Sequence, residues 1–513
     1  MAEQNNNSEL AKALQLAKSK ARDGILKGTD LDRGIRERLQ NAGCLSDIIR
    51  GWYLLTKPGF AGTSTAWFGG FWGFLKLYLT ERFNEEYCLS AESSLELLTA
   101  DGKISKQLTI ITIAASNQTV ELPHSTSILI YSDPKGFPNQ IIKHNGINTM
   151  PIPIALSRSV STFYKNSSLT AEIALKLIPS ASDISRILVE EKALASAGRI
   201  AGAYKHLGDE QKSKQIIDDM SAAGFQTDIE NPFKSELPFL KAGRIHSPYA
   251  GRIQAMWASM RKPIIELFPD EPGVAKDAQK TLKVIKDLYK QDAYHSLSIE
   301  GYQVTDELID KIAKGEWDPN SDETDRNLTD ALAAKGYSHT FDKVLGSIVK
   351  VILKNRNPGT VFEEDLQIWF RELFTPVAQA GLLRQSDLTG YRNTPVYIEG
   401  SRHVPPGSHA VQDSMEALFK LLKDEEHNSV RAVLGHFIFV YIHPYSDGNG
   451  RIGRFLLNLM LIAGGYSWTV IRTNSRSEYM KALESASIDS NIVPFTKLVL
   501  SEMKYWKSIE KEN

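Results

Sequence analysis

Twelve consecutive residues near the C-terminal end concentrate groups that do chemistry: His443-Pro-Tyr-Ser-Asp447-Gly448-Asn449-Gly450-Arg451-Ile-Gly453-Arg454. A short Gly-Asn-Gly loop opens directly into an apolar helical run (FLLNLMLIAGG, 455–465). Free N–H groups and the helix dipole both point out of such a terminus, so it is a ready anion site. Arg451 and Arg454 are three apart, share one face of the first turn and can each fork onto phosphate oxygens. Asp447, just before the loop, suits a Mg²⁺ ion shared with a phosphate, because hard cations take carboxylate and phosphate oxygens. His443 is the one side chain of the stretch that titrates near neutrality, which makes it the candidate general base.

Two flanking elements must hold this constellation. The run HFIFVYI (436–442) precedes it, and the following helix is predicted to stop at Gly464-Gly465. Gly448-x-Gly450-x-x-Gly453 also fits the dinucleotide-binding pattern. That fold, however, turns almost at once from strand to glycine, whereas HPYSD intervenes here, and too little chain follows for the rest of a doubly wound sheet. A capped helix with solvated arginines is the remaining non-functional alternative. His436 on its apolar run, and Met480, Leu483 and Trp468 beyond it, read as core; His403 reads as loop.

The stretch resembles the motif of Fic-domain proteins, His-x-Phe-x-Asp/Glu-Gly-Asn-Gly-Arg-x-x-Arg, with Tyr445 in place of Phe. The resemblance spans roughly residues 275–505, and GYRNTPVYIEGSRHVPP (390–406) is similar to the family's flap, a β-hairpin. It implies transfer of AMP from ATP to a Ser, Thr or Tyr hydroxyl of a protein target, possibly the chain itself, with Mg²⁺. His443 would then be the base and Asp447 the metal ligand. Gly448, Asn449, Gly450 and Gly453 would belong to the nucleotide loop, Arg451 would meet the β-phosphate and Arg454 the γ-phosphate. Glycine at Gly450 favours nucleotidyl over phosphoryl transfer. Val396, Tyr397 and Ile398 would clamp the target in an extended form, and Tyr479 would lie near the base.

Further upstream, Ser296-Leu-Ser-Ile-Glu300-Gly301 resembles the family's inhibitory helix. Ser296 and Glu300 are four apart and share a helix face. A carboxylate there would occupy the Arg454 guanidinium and leave a bound triphosphate misaligned, which alone costs orders of magnitude in rate.

The remaining chain bounds these readings. Its 513 residues suggest about three domains. With 42% hydrophobic and 24% charged residues each domain has material for a core, and the formal charge of −1 gives no global pull toward nucleic acid or membrane. Cys44 and Cys88 make neither a disulfide framework nor a four-ligand zinc site. The polar, acid-bearing N-terminus is no secretory signal, and AWFGGFWGFLKLYL (66–79) is shorter than a bilayer span, so a cytoplasmic protein without membrane contact is expected.

The predicted organisation is a winged-helix-like region (1–60), an α/β then helical domain (61–228), a connector (229–274), and an all-α domain with inhibitory helix and hairpin flap (275–513). LQNAGCLSDIIRGWYLLTKPG weakly resembles AbiEi-like winged-helix regulators. Residues 1–60 carry ten lysines and arginines against seven acids. If they met DNA, Arg33, Arg36 and Arg38 would touch phosphates and Arg50 would sit in the wing. A DNA-binding regulator with an idle Fic domain, and a Fic transferase using another nucleotide, are the alternatives.

Overall fold

The computed structural model describes residues 2–58, 61–235, 237–240, 243–273, 277–317 and 328–512. Gly59, the 274/275 boundary and Lys276, all used in reading the sequence, lie outside the described residues. The chain divides into two compact units: residues 1–252 with 397–404, and residues 253–396 with 405–513.

In the first unit, α1 (Ala2–Lys20), β1 (Ile25–Lys27), α2 (Arg33–Asn41), β2 (Leu45–Ile49) and β3 (Trp52–Leu55) form a small helix-and-hairpin module. Its antiparallel sheet has the order β1-β3-β2, and Gly51 takes the positive φ that the β2–β3 turn needs. Arg33 is paired with Glu37, Arg38 with Glu9, and the Arg36 guanidinium donates to the Gly28 and Leu31 carbonyls. Arg33 and Arg38 remain exposed in these pairs, and no comparison or contact supports DNA binding.

The aromatic run forms α3 (Ser64–Phe83), capped by Thr63, with Trp67, Phe71, Phe74 and Leu79 buried. It shares a core with β4 (Tyr87–Leu89), α4 (Ala91–Leu98), β5 (Gln107–Thr112), β6 (Gln118–Leu122) and β7 (Thr126–Ser132). The sheet order is β4-β5-β7-β6, with β5 and β7 parallel and the outer pairs antiparallel. Among the described residues no helix is long and apolar enough to cross a membrane. A hairpin of β8 (Ile142–His144) and β9 (Ile147–Thr149) leads into α5 (Ile152–Arg158), α6 (Ser161–Asn166), α7 (Ser168–Leu177), α8 (Ser182–Glu190), α9 (Leu194–His206) and α10 (Glu210–Ala222), which share a second core.

The predicted hairpin over 391–406 does not form. Residues 397–404 belong to the first unit, where Lys103 and His403 make a single antiparallel bridge. Ile104 N–H donates to the Arg402 carbonyl (3.0 Å) and Val404 N–H to that of Gly102 (2.7 Å). Pro395, Pro405 and Pro406 have no N–H for a ladder within the segment. Tyr397 lies against Gly69, where an added Cβ would come within 3.2 Å of its ring.

The stretch read as a connector contains α11 (Pro248–Leu267), a twenty-residue helix. In the second unit its Trp257 and Arg261 both donate to the buried Glu425 carboxylate. The rest of this unit is helical: α12 (Ala278–Asp287), α13 (Tyr289–Ile299), α14 (Asp306–Lys314), α15 (Leu328–Ile352), α16 (Pro358–Gln379), α17 (Val411–Asp424), α18 (Asn428–Ile442), α19 (Asn449–Ala463), α20 (Arg476–Asp489) and α21 (Val493–Glu512). Helices α18 and α19 are buried on nearly every face, as the apolar runs on either side of the chemical segment require.

Candidate active site

Helix α18 must end at His443, because Pro444 disfavours helical geometry in the residue before it. His443 accordingly adopts a left-handed conformation (φ 53°), uncommon outside glycine, while its N–H still donates to Phe439 O. Arg392 holds this end in place. Its Nε donates to His443 O (2.7 Å), its Nη2 to Ile442 O (3.4 Å), and its own N–H to Pro444 O (2.9 Å). The imidazole Nδ1 lies 3.1 Å from Val440 O, so Nδ1 carries the hydrogen and Nε2 keeps a bare lone pair. Burial lowers the His443 pKa; the bond to Val440 opposes this and the Arg392 charge adds to it. The ring is therefore neutral at pH 7.

The loop after His443 is clasped by its own side chains. Tyr445 stacks flat on Phe370 at 3.8 Å, and Asn449 exchanges two hydrogen bonds with the Tyr445 backbone. Asn449 thus shapes the loop from a buried position. Gly448, at φ 84°, is the N-cap of α19, and a Cβ there would meet the Phe374 ring at 2.7 Å. Both the conformation and the space demand glycine. Gly453 faces α18, where a Cβ would lie 2.9 Å from His436 Nδ1, so it permits the close approach of the two helices.

Asp447 keeps 59% of its side chain exposed; it accepts from Gly448 N–H (2.6 Å) and from Arg451 Nη2 (3.0 Å). Arg451 is buried, with its guanidinium over the rings of Tyr302 (5.1 Å) and Phe374 (5.2 Å). Arg454 is also buried. Its Nε donates to Ser296 Oγ (2.9 Å), and its Nη2 donates to Ser296 O (2.9 Å) and to Glu300 Oε1 (2.7 Å). Burial works against this charge, but Glu300 outweighs it and holds the Arg454 pKa above its ordinary value. Arg451 Nε and Arg454 Nη1 have no partner among the described residues. Two buried, unpaired guanidinium donors beside a helix N-terminus are what a polyphosphate would satisfy.

Glu300 caps the C-terminus of α13, and Gly301 follows at φ 93°. Tyr302 N–H bonds to Leu297 O and Gly301 N–H to Ser298 O, the paired bonds of a Schellman end. Asp292, Ser296 and Glu300 form one stripe of α13. Asp292 is fully buried, accepts from Tyr337 Oη (2.8 Å), and burial pushes it up to about 6. The Glu300 carboxylate overlies the loop, since a Cβ at Gly450 would fall within 2.2 Å of Oε1.

The structure thus brings together His443, Asp447, Gly448, Gly450, Arg451, Arg454, Ser296 and Glu300. Tyr479 is buried beside these residues, its hydroxyl 2.8 Å from His436 Nε2, its ring near Phe495 and its side chain interacting with the Arg454 guanidinium. His436 is core as expected, pushed down to about 3 by burial, and so is Trp468. Met480, expected inside, is 37% exposed, because Tyr479, Ala482 and Ala486 form the inward stripe of α20. His403 lies in the irregular 391–406 segment and is buried there. Sequence reasoning missed Arg392, Tyr302 and Phe374. Tyr302 had a signal, as the second residue past a Glu-Gly helix stop; Arg392 and Phe374 come from distant segments and had none.

Comparison with known proteins shows what this segment is similar to. Residues 363–461 match the Fic/DOC family. A protein adenylyltransferase Fic of Nematostella vectensis is 30% identical over 227 residues, 42% of this chain and 47% of that protein. One of Drosophila grimshawi is 30% identical over 221 residues, 42% of this chain and 41% of that protein. The chain therefore spans less than half the length of these curated relatives. Among solved structures, Fic-1 (residues 134–508) of C. elegans aligns at 17% identity with a TM-score of 0.37, covering 68% of this chain and 98% of that one.

Proposed function

We propose that this chain is a protein adenylyltransferase. It transfers AMP from ATP to a Ser, Thr or Tyr hydroxyl of a protein target, itself included, and is restrained by Glu300. The observation that carries the reading is a neutral imidazole with a free Nε2, set beside a glycine-loop helix terminus whose two buried arginines each keep an unpaired N–H. The named relatives support it.

His443 Nε2 takes the proton of the incoming hydroxyl as its oxygen attacks the α-phosphorus, and pyrophosphate leaves. Gly448 and Gly450 bring the backbone close to the phosphates, with Arg451 on the β-phosphate and Arg454 on the γ-phosphate once Glu300 has moved. Val396, Tyr397 and Ile398 are the target-docking segment in this reading. The donors suit Mg²⁺ in one way only. No group of three or more His, Cys, Asp or Glu gathers among the described residues, so Asp447 would hold an ion shared with the nucleotide phosphates. Such an ion supplies charge neutralisation for the leaving pyrophosphate.

Intact-mass measurement of the Glu300→Gly protein with ATP and Mg²⁺ tests the reading. An added AMP that disappears on His443→Ala is the expected result. An added phosphate, or an added UMP when UTP is supplied in place of ATP and no AMP with ATP, would replace the proposed donor chemistry, and no added mass on the chain or on any protein of a cell extract would remove it.

A further inference from the structure

The Arg451 side chain is held in a way that its role as a phosphate ligand does not by itself require. Its guanidinium lies over two aromatic rings, that of Tyr302 at 5.1 Å and that of Phe374 at 5.2 Å. One N–H of Nη2 is committed to Asp447, and the Tyr302 hydroxyl points to the same carboxylate oxygen from 3.5 Å. Nε, buried, is left without a partner among the described residues. A long arginine side chain otherwise loses considerable rotamer freedom on ordering. Packed against both rings and tethered at one end, it has already lost that freedom and presents a fixed donor.

Phe374 comes from the middle of α16 and cannot be spared by that helix. Tyr302 is different, because it lies outside α13 in an irregular stretch and its ring is only partly buried. What fixes it is the backbone bond from Tyr302 N–H to Leu297 O, which ties it to the end of α13.

We propose that Tyr302 is a positioning residue for nucleotide binding: its ring holds in place the Arg451 guanidinium, the group assigned above to the β-phosphate. This rests on the nucleotide reading above. Cation–π contacts at desolvated sites are strong enough for the loss of one face to weaken a ligand held by that arginine about tenfold. The effect is assigned to the π face; the hydroxyl also reaches Asp447 at 3.5 Å and Arg451, and Tyr302→Phe removes it alone.

Calorimetric titration with ADP separates this role from the one Glu300 plays, because ADP lacks the γ-phosphate that Arg454 would hold. The full-length chain carrying Glu300→Gly, which clears the loop, is the reference. On that background Tyr302→Ala and Tyr302→Leu are expected to raise the ADP dissociation constant about tenfold, and Tyr302→Phe to leave it within about twofold. A merely structural role would instead let Leu, which keeps the apolar bulk, behave like Phe. Tyr302→Ala binding as tightly as the reference, Leu matching Phe, or Phe falling with Ala would each overturn the proposal. If the reference chain itself binds neither ADP nor ATP at millimolar concentration, the nucleotide reading fails and takes this inference with it. Melting curves of each variant confirm that the folded protein is being titrated.

Discussion

In the proposed reaction His443 acts as a neutral base, and two influences lower its pKa: burial and the positive charge of Arg392. A base whose pKa is depressed remains competent down to an unusually low pH, so the acid limb of self-modification by Glu300→Gly should lie below the ordinary histidine value near 6.5. Arg392 contributes both charge and geometry, and two substitutions separate them. Arg392→Gln removes the charge that lowers the pKa, and should move the acid limb upward. Arg392→Lys keeps a charge but not the fork that reaches the His443 and Ile442 carbonyls, so it should lower the rate with less displacement of the limb. A rate–pH profile unchanged by Arg392→Gln would show that burial alone sets the protonation of His443.

Between α13 and α19 the proposed restraint is a matter of space as well as charge. Glu300 sits so close to the loop that any side chain at Gly450 must push its carboxylate aside. Gly450→Ala and Glu300→Gly should therefore be non-additive in stability. Each alone disturbs the Glu300–Arg454 pair, but once Glu300 is gone the methyl group meets no carboxylate. The expected coupling is about 1–3 kcal/mol, read as melting temperatures of the two single variants, the double variant and the parent. Strictly additive shifts would mean that the two residues do not compete for one space.

The same elements show how far the sequence could be read. The glycine loop, the helix it opens, its stop at Gly464-Gly465 and the face shared by Ser296 and Glu300 are local, and local spacing sufficed to place them. The clamp on Arg451 and the bonds from Arg392 to the end of α18 join segments that local periodicity cannot connect. In 391–406, alternation and Gly400 imitate a hairpin, but the strand partner is Gly102–Ile104, some 300 positions away. The prolines that made 229–274 look like a connector mislead for another reason. Pro248 opens α11, where its missing N–H costs nothing, and Pro263 lies within the helix.

For the whole molecule, every residue assigned to the nucleotide site falls in the second unit: Glu300, Arg392, His443, Asp447, Arg451 and Arg454. A ligand stabilises only the cooperative unit that binds it, by about 2.7 kcal/mol at a hundred times its dissociation constant. If the two units open independently, saturating ATP and Mg²⁺ on the Glu300→Gly protein should slow hydrogen exchange in the cores of α18 and α19 by up to about a hundredfold. It should leave β5 and β7 of the first unit unchanged. The decisive amide is that of Val404. In sequence it lies between two stretches of the second unit, yet its N–H is bonded to Gly102 O within the first. It should exchange with β5 and β7, indifferent to nucleotide. Protection of Val404 in step with α18 would mean that 397–404 is energetically part of the nucleotide-binding unit, and equal protection throughout would mean that the two units unfold as one.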